Sequence, residues 1–171
     1  ITTIDAAVEV VSAQVDGLDL LINNAGFFAK GEKLGNLDAD SMLYTFNINA
    51  VGPILVVQRF VDLLQAGDDA KVINISSQLG SLQRTSGGTH YSYNSSKAAL
   101  NMLTRVLARE LRDDGITVVT THPGWVQTDM GGKGAAITPN ESAAGLIALA
   151  DRIAMDDTNK FYTWEGEEHI W

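Results

Sequence analysis

Apolar positions along this chain recur with two periods, and the alternation between them predicts the architecture. Ile4, Val8, Val11 and Val15 share one face of a helix that Thr3 is placed to cap, while Asp5, Glu9 and Gln14 face away. Leu18–Asn23 is a short apolar run bounded by polar residues and reads as a buried strand, as do Lys71–Ile75 and Thr117–Thr121. Lys160–Trp164, turning at Gly166, reads as a last strand. Longer stretches of helical period lie between them. Asp38 is the candidate cap of a helix reaching about Leu64. Another runs roughly from Tyr91 to Asp114, burying Leu100, Leu103, Leu107 and Leu111 and presenting Arg105, Arg109 and Arg112 to water. Thr138-Pro139-Asn140-Glu141 is a capping box with proline at the first helical position, so a helix continues through Ile153.

Strands separated by helices of this length pair in parallel, because a parallel crossover must travel back along the sheet, and a parallel sheet needs both faces covered. The expected class is α/β, a doubly wound parallel sheet in three layers, α/β/α, within one domain over residues 1–171. Neither an internal repeat nor a low-complexity tract interrupts it.

Composition narrows the partners. With 45% hydrophobic and 19% charged residues, the chain has enough apolar material for a packed core. A net charge of −9 argues against nucleic acid or an anionic membrane as partner and leaves a small organic molecule as the expected one. Cysteine is absent, which removes disulfides and thiolate metal sites. His90, His122 and His169 lack ligand-like spacing and read as satisfied loop histidines, so no metal is expected; His122 adjoins the Pro123-Gly124 turn and is placed to touch a site wall. No apolar run approaches the ~20 residues that cross a bilayer, and the expected location is the cytoplasm.

In open α/β sheets, ligands bind beyond the carboxyl ends of the strands. That edge is marked three times here: Asn23-Asn24-Ala25-Gly26 after the first strand, Ser76-Ser77 after the second, and Pro123-Gly124-Trp125-Val126-Gln127-Thr128 after the third. Tyr93 and Lys97, four residues apart on a helix, share a face. A phenol of pKa about 10 is a poor proton carrier at neutral pH, and lowering it by two or three units takes ~3–4 kcal/mol. An exposed helical pair contributes only ~0.2–0.5 kcal/mol. Lys97 therefore has to act in a desolvated site, helped by a second positive charge such as an oxidised nicotinamide ring. Alone, the pair is weak and usually a solvated helix face; joined to Ser77 and the other strand-end motifs, it reads as a device for proton transfer to a carbonyl oxygen. Gln78 and Leu79 follow Ser77 and are expected to face substrate, and Asp129–Gly134 reads as a mobile lid. Trp125, Trp164 and Trp171 read as packing residues. Pro53 lacks the N–H that would bond the carbonyl of Asn49, leaving that oxygen free to hold a water; a simple kink beside Gly52 accounts for the same residues equally well.

These motifs resemble the short-chain dehydrogenase/reductase family, and within it the group of C-factor and sniffer-type carbonyl reductases. The resemblance covers essentially the whole chain: Asn23-Asn24-Ala25-Gly26, Asn47-Ile48-Asn49-Ala50-Val51-Gly52-Pro53, Ile75-Ser76-Ser77, Tyr93-x-x-x-Lys97-Ala98-Ala99-Leu100 and Pro123 to Met130 stand in family order. Thr85-Ser86-Gly87-Gly88 and the terminal Gly166 to Trp171 point to the narrower group. The resemblance implies that Tyr93 is the general acid/base, that Ser77 hydrogen-bonds the substrate oxygen, and that Lys97 holds the nicotinamide ribose while lowering the Tyr93 pKa. It implies that Asn49 completes a proton relay. Asn23, Asn24, Ala25 and Gly26 would line the cofactor floor, with Pro123, Gly124, Val126 and Thr128 around the nicotinamide carboxamide. The cofactor is NADP or NAD, with NADP favoured, and the substrate a small carbonyl compound or alcohol. The family's Gly-rich pyrophosphate turn has no counterpart here, so the chain is expected to lack the first βαβαβ unit, to leave its first strand with an open edge, to bind NAD(P) poorly and to associate. A homo-oligomer through the two long helices stays open, as do two other readings: a signalling protein that keeps the fold, and an inert gene fragment.

Overall fold

The computed structural model describes residues 2–84 and 87–171; the Thr85-Ser86 part of the loop motif lies outside them. Strands β1 (Leu20–Asn23), β2 (Lys71–Ile75), β3 (Thr117–His122) and β4 (Phe161–Thr163) form one sheet in that order, each neighbouring pair parallel. The helices are α1 (Thr2–Ser12), α2 (Ala39–Phe46), α3 (Gly52–Gln65), α4 (Tyr91–Glu110) and α5 (Pro139–Arg152).

Side chains alternate across a strand, and here the alternation sorts the layers. Val72 and Val118 face one side and pack with Val57, Phe60 and Leu64 of α3 and Ala108 of α4. Ile73, Ile75 and Val119 face the other and pack with Leu149 and Ala150 of α5. The result is the expected α/β/α sandwich, Rossmann-like, with each fully buried Val, Leu or Ile contributing about 1.5–3 kcal/mol. Helix α5 opens on the capping box read from Thr138 and Glu141, both halves of which form.

Two boundaries differ from expectation for identifiable reasons. β1 starts at Leu20 rather than Leu18 because the Leu18 N–H donates to the Leu63 carbonyl of α3, 2.8 Å away, and so is withdrawn from the sheet. β1 is an edge strand, with Leu20 38% and Ile22 41% exposed. The helix expected from Asp38 to Leu64 is broken. Asp38 does cap α2 through Ser41 N–H, but Asn47–Val51 forms a π-helical turn before α3 begins, with the Gly52 N–H reaching back to the Asn47 carbonyl. With no donor on Pro53, the ladder is relieved by inserting a residue rather than by a simple kink.

Candidate active site

The crest of the sheet holds a cleft of about 990 Å³. Its floor is the loop leaving β1 at Asn24, Ala25 and Gly26; one wall is Ser77, Gln78 and Leu79 after β2, and another is Pro123, Gly124, Val126 and Thr128 after β3. Tyr93 and Lys97 rise into it from the first turns of α4. One residue expected at the cofactor floor, Asn23, turns away from the cleft, and the Asn49 side chain lies behind the floor. Asn23 lies opposite Asn74 in register, and its amide donates to Asn74 Oδ1 (2.8 Å) and to the Pro53 carbonyl (3.3 Å), which turns it into the sheet and away from the cleft lining. Asn49 is fully buried behind the floor. Its Oδ1 accepts from the Phe27 N–H (2.7 Å), and its Nδ2 donates to the Phe27 carbonyl (2.8 Å) and to Ser96 Oγ (3.0 Å). The π-helical turn swings it inward, so Asn49 pins at Phe27 the loop whose preceding residues form the floor.

Ser77 is fixed from both sides. Its Oγ accepts from the Leu79 N–H at 3.1 Å, capping the 3₁₀ turn Gln78–Gly80. That turn docks directly on α4: a Cβ on Gly80 would lie 2.8 Å from the Lys97 carbonyl carbon and 2.9 Å from its Cβ. Ser76 Oγ donates to Asn101 Oδ1 (2.6 Å), whose amide donates to the Gly80 carbonyl (3.2 Å). Glycine at 80 thus allows the serine loop to sit against the helix that carries Tyr93.

Tyr93 and Ser77 line the same cleft, and the Ser77 side chain acts to lower the Tyr93 pKa. Lys97 is 3% exposed; its Nζ donates to the Ile75 carbonyl at 2.8 Å and lies 5.8 Å from the centre of the Tyr93 ring. In the chain alone, burial dominates the electrostatics of both groups. Burial pushes Tyr93 above the ordinary tyrosine value, offset in part by the Ser77 hydrogen bond. Burial likewise lowers the Lys97 ammonium to about 8.

The histidines are not all satisfied, as they were read to be. His90 adopts a left-handed conformation (φ 63°), stacks at 4.8 Å on Phe28, lines the cleft, and leaves its buried Nδ1 without a partner. Phe28 in turn meets the Tyr93 ring edge-on at 5.0 Å. Neither aromatic contact carries a local pattern that sequence reading can detect. Trp125, expected in packing, is 55% exposed, lines the cleft, and donates from Nε1 to the Gly131 carbonyl (2.9 Å), shaping the Asp129–Gly134 turn. Trp164 packs as expected, closely enough that a Cβ on Gly145 would meet its carbonyl at 2.2 Å.

His122 ends β3 and accepts the Gly124 N–H on Nδ1 (3.0 Å), holding the turn that borders the cleft. Burial, then the neighbouring His169 and Arg84, lower its pKa to about 4. An imidazole neutral in the folded chain and free to protonate once unfolded binds fewer protons when native between pH 6.5 and about 4. Stability is therefore full above that window and falls as pH drops through it, by about 3 kcal/mol. His169, also lowered chiefly by burial, adds in the same direction. His122→Asn keeps an acceptor for Gly124 and should flatten the slope of unfolding free energy against pH between 6.5 and 4.5, measured by urea titration; an unchanged slope would remove His122 as its source.

Among the described residues, no cluster of His, Asp or Glu could hold a metal ion, and no helix is long and apolar enough to cross a membrane. The family model described as short chain dehydrogenase matches residues 1–136. C-signal of Myxococcus xanthus is 39% identical over 154 residues, covering 90% of this chain and 93% of that protein. The NADPH-bound carbonyl reductase from chicken fatty liver superposes with a TM-score of 0.93 at 36% identity, over 99% of this chain and 73% of that one. The carbonyl reductase Sniffer of D. melanogaster superposes at 0.95 with 30% identity, over 99% and 74%.

Proposed function

The chain belongs to the short-chain dehydrogenase family, and from that premise we propose that it is a carbonyl reductase using NADP(H), with Tyr93 as proton donor, Ser77 as the hydroxyl that holds the substrate oxygen, and Lys97 as the cation beneath them. The observation that carries this reading is the convergence of the three side chains in one cleft.

The residues present fit the nicotinamide end of the cofactor. With no side chain on Gly26, whose Cβ would stand 3.7 Å from Lys97 Nζ, the floor beside the ammonium stays flat and open to a polar group. Asn24, Ala25 and Gly26 would form the floor, with Pro123, Gly124, Val126 and Thr128 alongside and Lys97 reaching the ribose. When bound, the cofactor supplies hydride to the carbonyl carbon and, once oxidised, a positive charge. The chain's own part is protonic and electrostatic. Ser77 and Tyr93 donate hydrogen bonds to the substrate oxygen as negative charge develops there, and Tyr93 gives up its proton. Lys97 stabilises the phenolate that this leaves. A phenol raised by burial enters the reducing direction already protonated, whereas alcohol oxidation would have to begin from the disfavoured phenolate. Gln78 and Leu79, on the same wall as Ser77, would meet the substrate, a small aldehyde or ketone.

Incubation of the chain with NADPH in excess and a panel of aldehydes and ketones should yield alcohol in step with the loss of NADPH. Similarity to a protein named C-signal over 93% of its length favours a second reading, a signal-type protein that keeps the fold. Under that reading the panel yields no alcohol.

A further inference from the structure

Helix α4 starts without help from its own flank: His90, at its N-cap position, makes no side-chain capping bond. The first N–H groups of a helix need acceptors, and a buried one left unpaired is costly. The acceptor comes from a residue sixty positions upstream. The Ser92 N–H donates to Glu32 Oε2 at 2.9 Å, and the Ser92 hydroxyl donates to Glu32 Oε1. Glu32 is 8% exposed, and none of the ion pairs among the described residues includes it. A buried carboxylate needs compensation, and here the partial positive charge at the start of α4 provides it.

Ser92 directly precedes Tyr93, and the loop that carries Glu32 also carries Phe28, whose ring packs on both Tyr93 and His90. We infer that Glu32 is a positioning residue for Tyr93: through Ser92 it locks the first turn of α4, so that the phenol is held against Ser77 in a closed environment. Without the carboxylate the first turn frays, and water reaches the ring. The inference deepens the reading of Tyr93 as proton donor for its kinetic consequence, but its structural content stands apart from that reading.

The test follows the Tyr93 ring itself. In chain labelled with ¹³C at tyrosine Cζ, the Tyr93 resonance is identified by its absence from Tyr93→Phe and titrated in wild type, Glu32→Ala and Glu32→Gln. Ser77, Lys97 and His90 face the ring and are common to all three proteins. In wild type the phenol titrates above about 10, the ordinary value. Glu32→Ala should bring it back toward that value, while Glu32→Gln, which still accepts the Ser92 N–H, should stay with wild type. Ser92→Ala, a milder change that removes only the hydroxyl bond, should move it part of the way and serves if Glu32→Ala fails to fold. With turnover as the readout, Glu32→Ala should lower kcat roughly 10- to 100-fold with little change in KM. A Tyr93 titration that is unmoved in Glu32→Ala, or in Ser92→Ala where that variant has to stand in, overturns the inference, and so does one moved equally by Glu32→Gln. Absence of any turnover by wild type would instead count against the reductase reading and leave the resonance test intact.

Discussion

Replacing Tyr93 by phenylalanine is expected to lower turnover by about 10²- to 10⁴-fold, the range spanned by losing a positioned general acid. The expectation is sharp because the substitution removes so little else. Tyr93 is 8% exposed, and its ring makes an edge-on contact with Phe28 at 5.0 Å that phenylalanine retains. Ser77 keeps the Leu79 N–H that fixes its Oγ, so the serine loop has no reason to move. Only the proton and its path are lost. Steady-state rates with NADPH in excess, alongside thermal melts, check it: kcat should collapse while the melting transition moves little. Equal turnover in the two proteins would mean that the proton comes from elsewhere.

Replacing Asn49 by alanine is expected to cost about 3–5 kcal/mol of stability, through stranded polar groups rather than lost volume. The Asn49 amide, itself fully buried, serves the half-buried Phe27 N–H and carbonyl and the buried Ser96 hydroxyl. Alanine can replace none of these, and an unsatisfied buried group costs about 1–3 kcal/mol. Asn49→Asp separates the terms. It can accept the Phe27 N–H but would set a carboxylate oxygen against the Phe27 carbonyl, so it should fold no better than alanine. Urea unfolding of the three proteins measures this directly. If alanine costs under about 1 kcal/mol, Asn49 is not the pin that holds the floor.

Much of this was legible in the residues because it is periodic or local. The three strand ends, the Thr138–Glu141 capping box and the shared face of Tyr93 and Lys97 all follow from spacing, and the layers follow from alternation in β2 and β3. What escaped is non-local. Glu32 meets Ser92 across sixty residues, and no pattern at either position announces the other. Asn23 sits inside the most legible motif of the first strand end, yet its amide turns to Asn74 because the register of β1 and β2 places them side by side. Pro53 correctly marked Asn49 as special, but whether the ladder would bend or take up an extra residue depends on what the side chain can reach, and here it reaches Phe27 and Ser96. Spacing placed Lys97 beside Tyr93 in a desolvated site, but the extent of burial, which spacing does not measure, is what raises the phenol in the chain alone.

The account rests on the proton of Tyr93 and a hydride from the cofactor meeting on one carbonyl group. Single-turnover reduction with NADPH carrying deuterium at the transferable C4 position tests that meeting most directly, with wild type and Tyr93→Phe compared on the same aldehyde. Deuterium is expected on the carbinol carbon of the alcohol formed by wild type, with little or no labelled alcohol from Tyr93→Phe. Labelled alcohol formed equally by both proteins, or by neither, would contradict it.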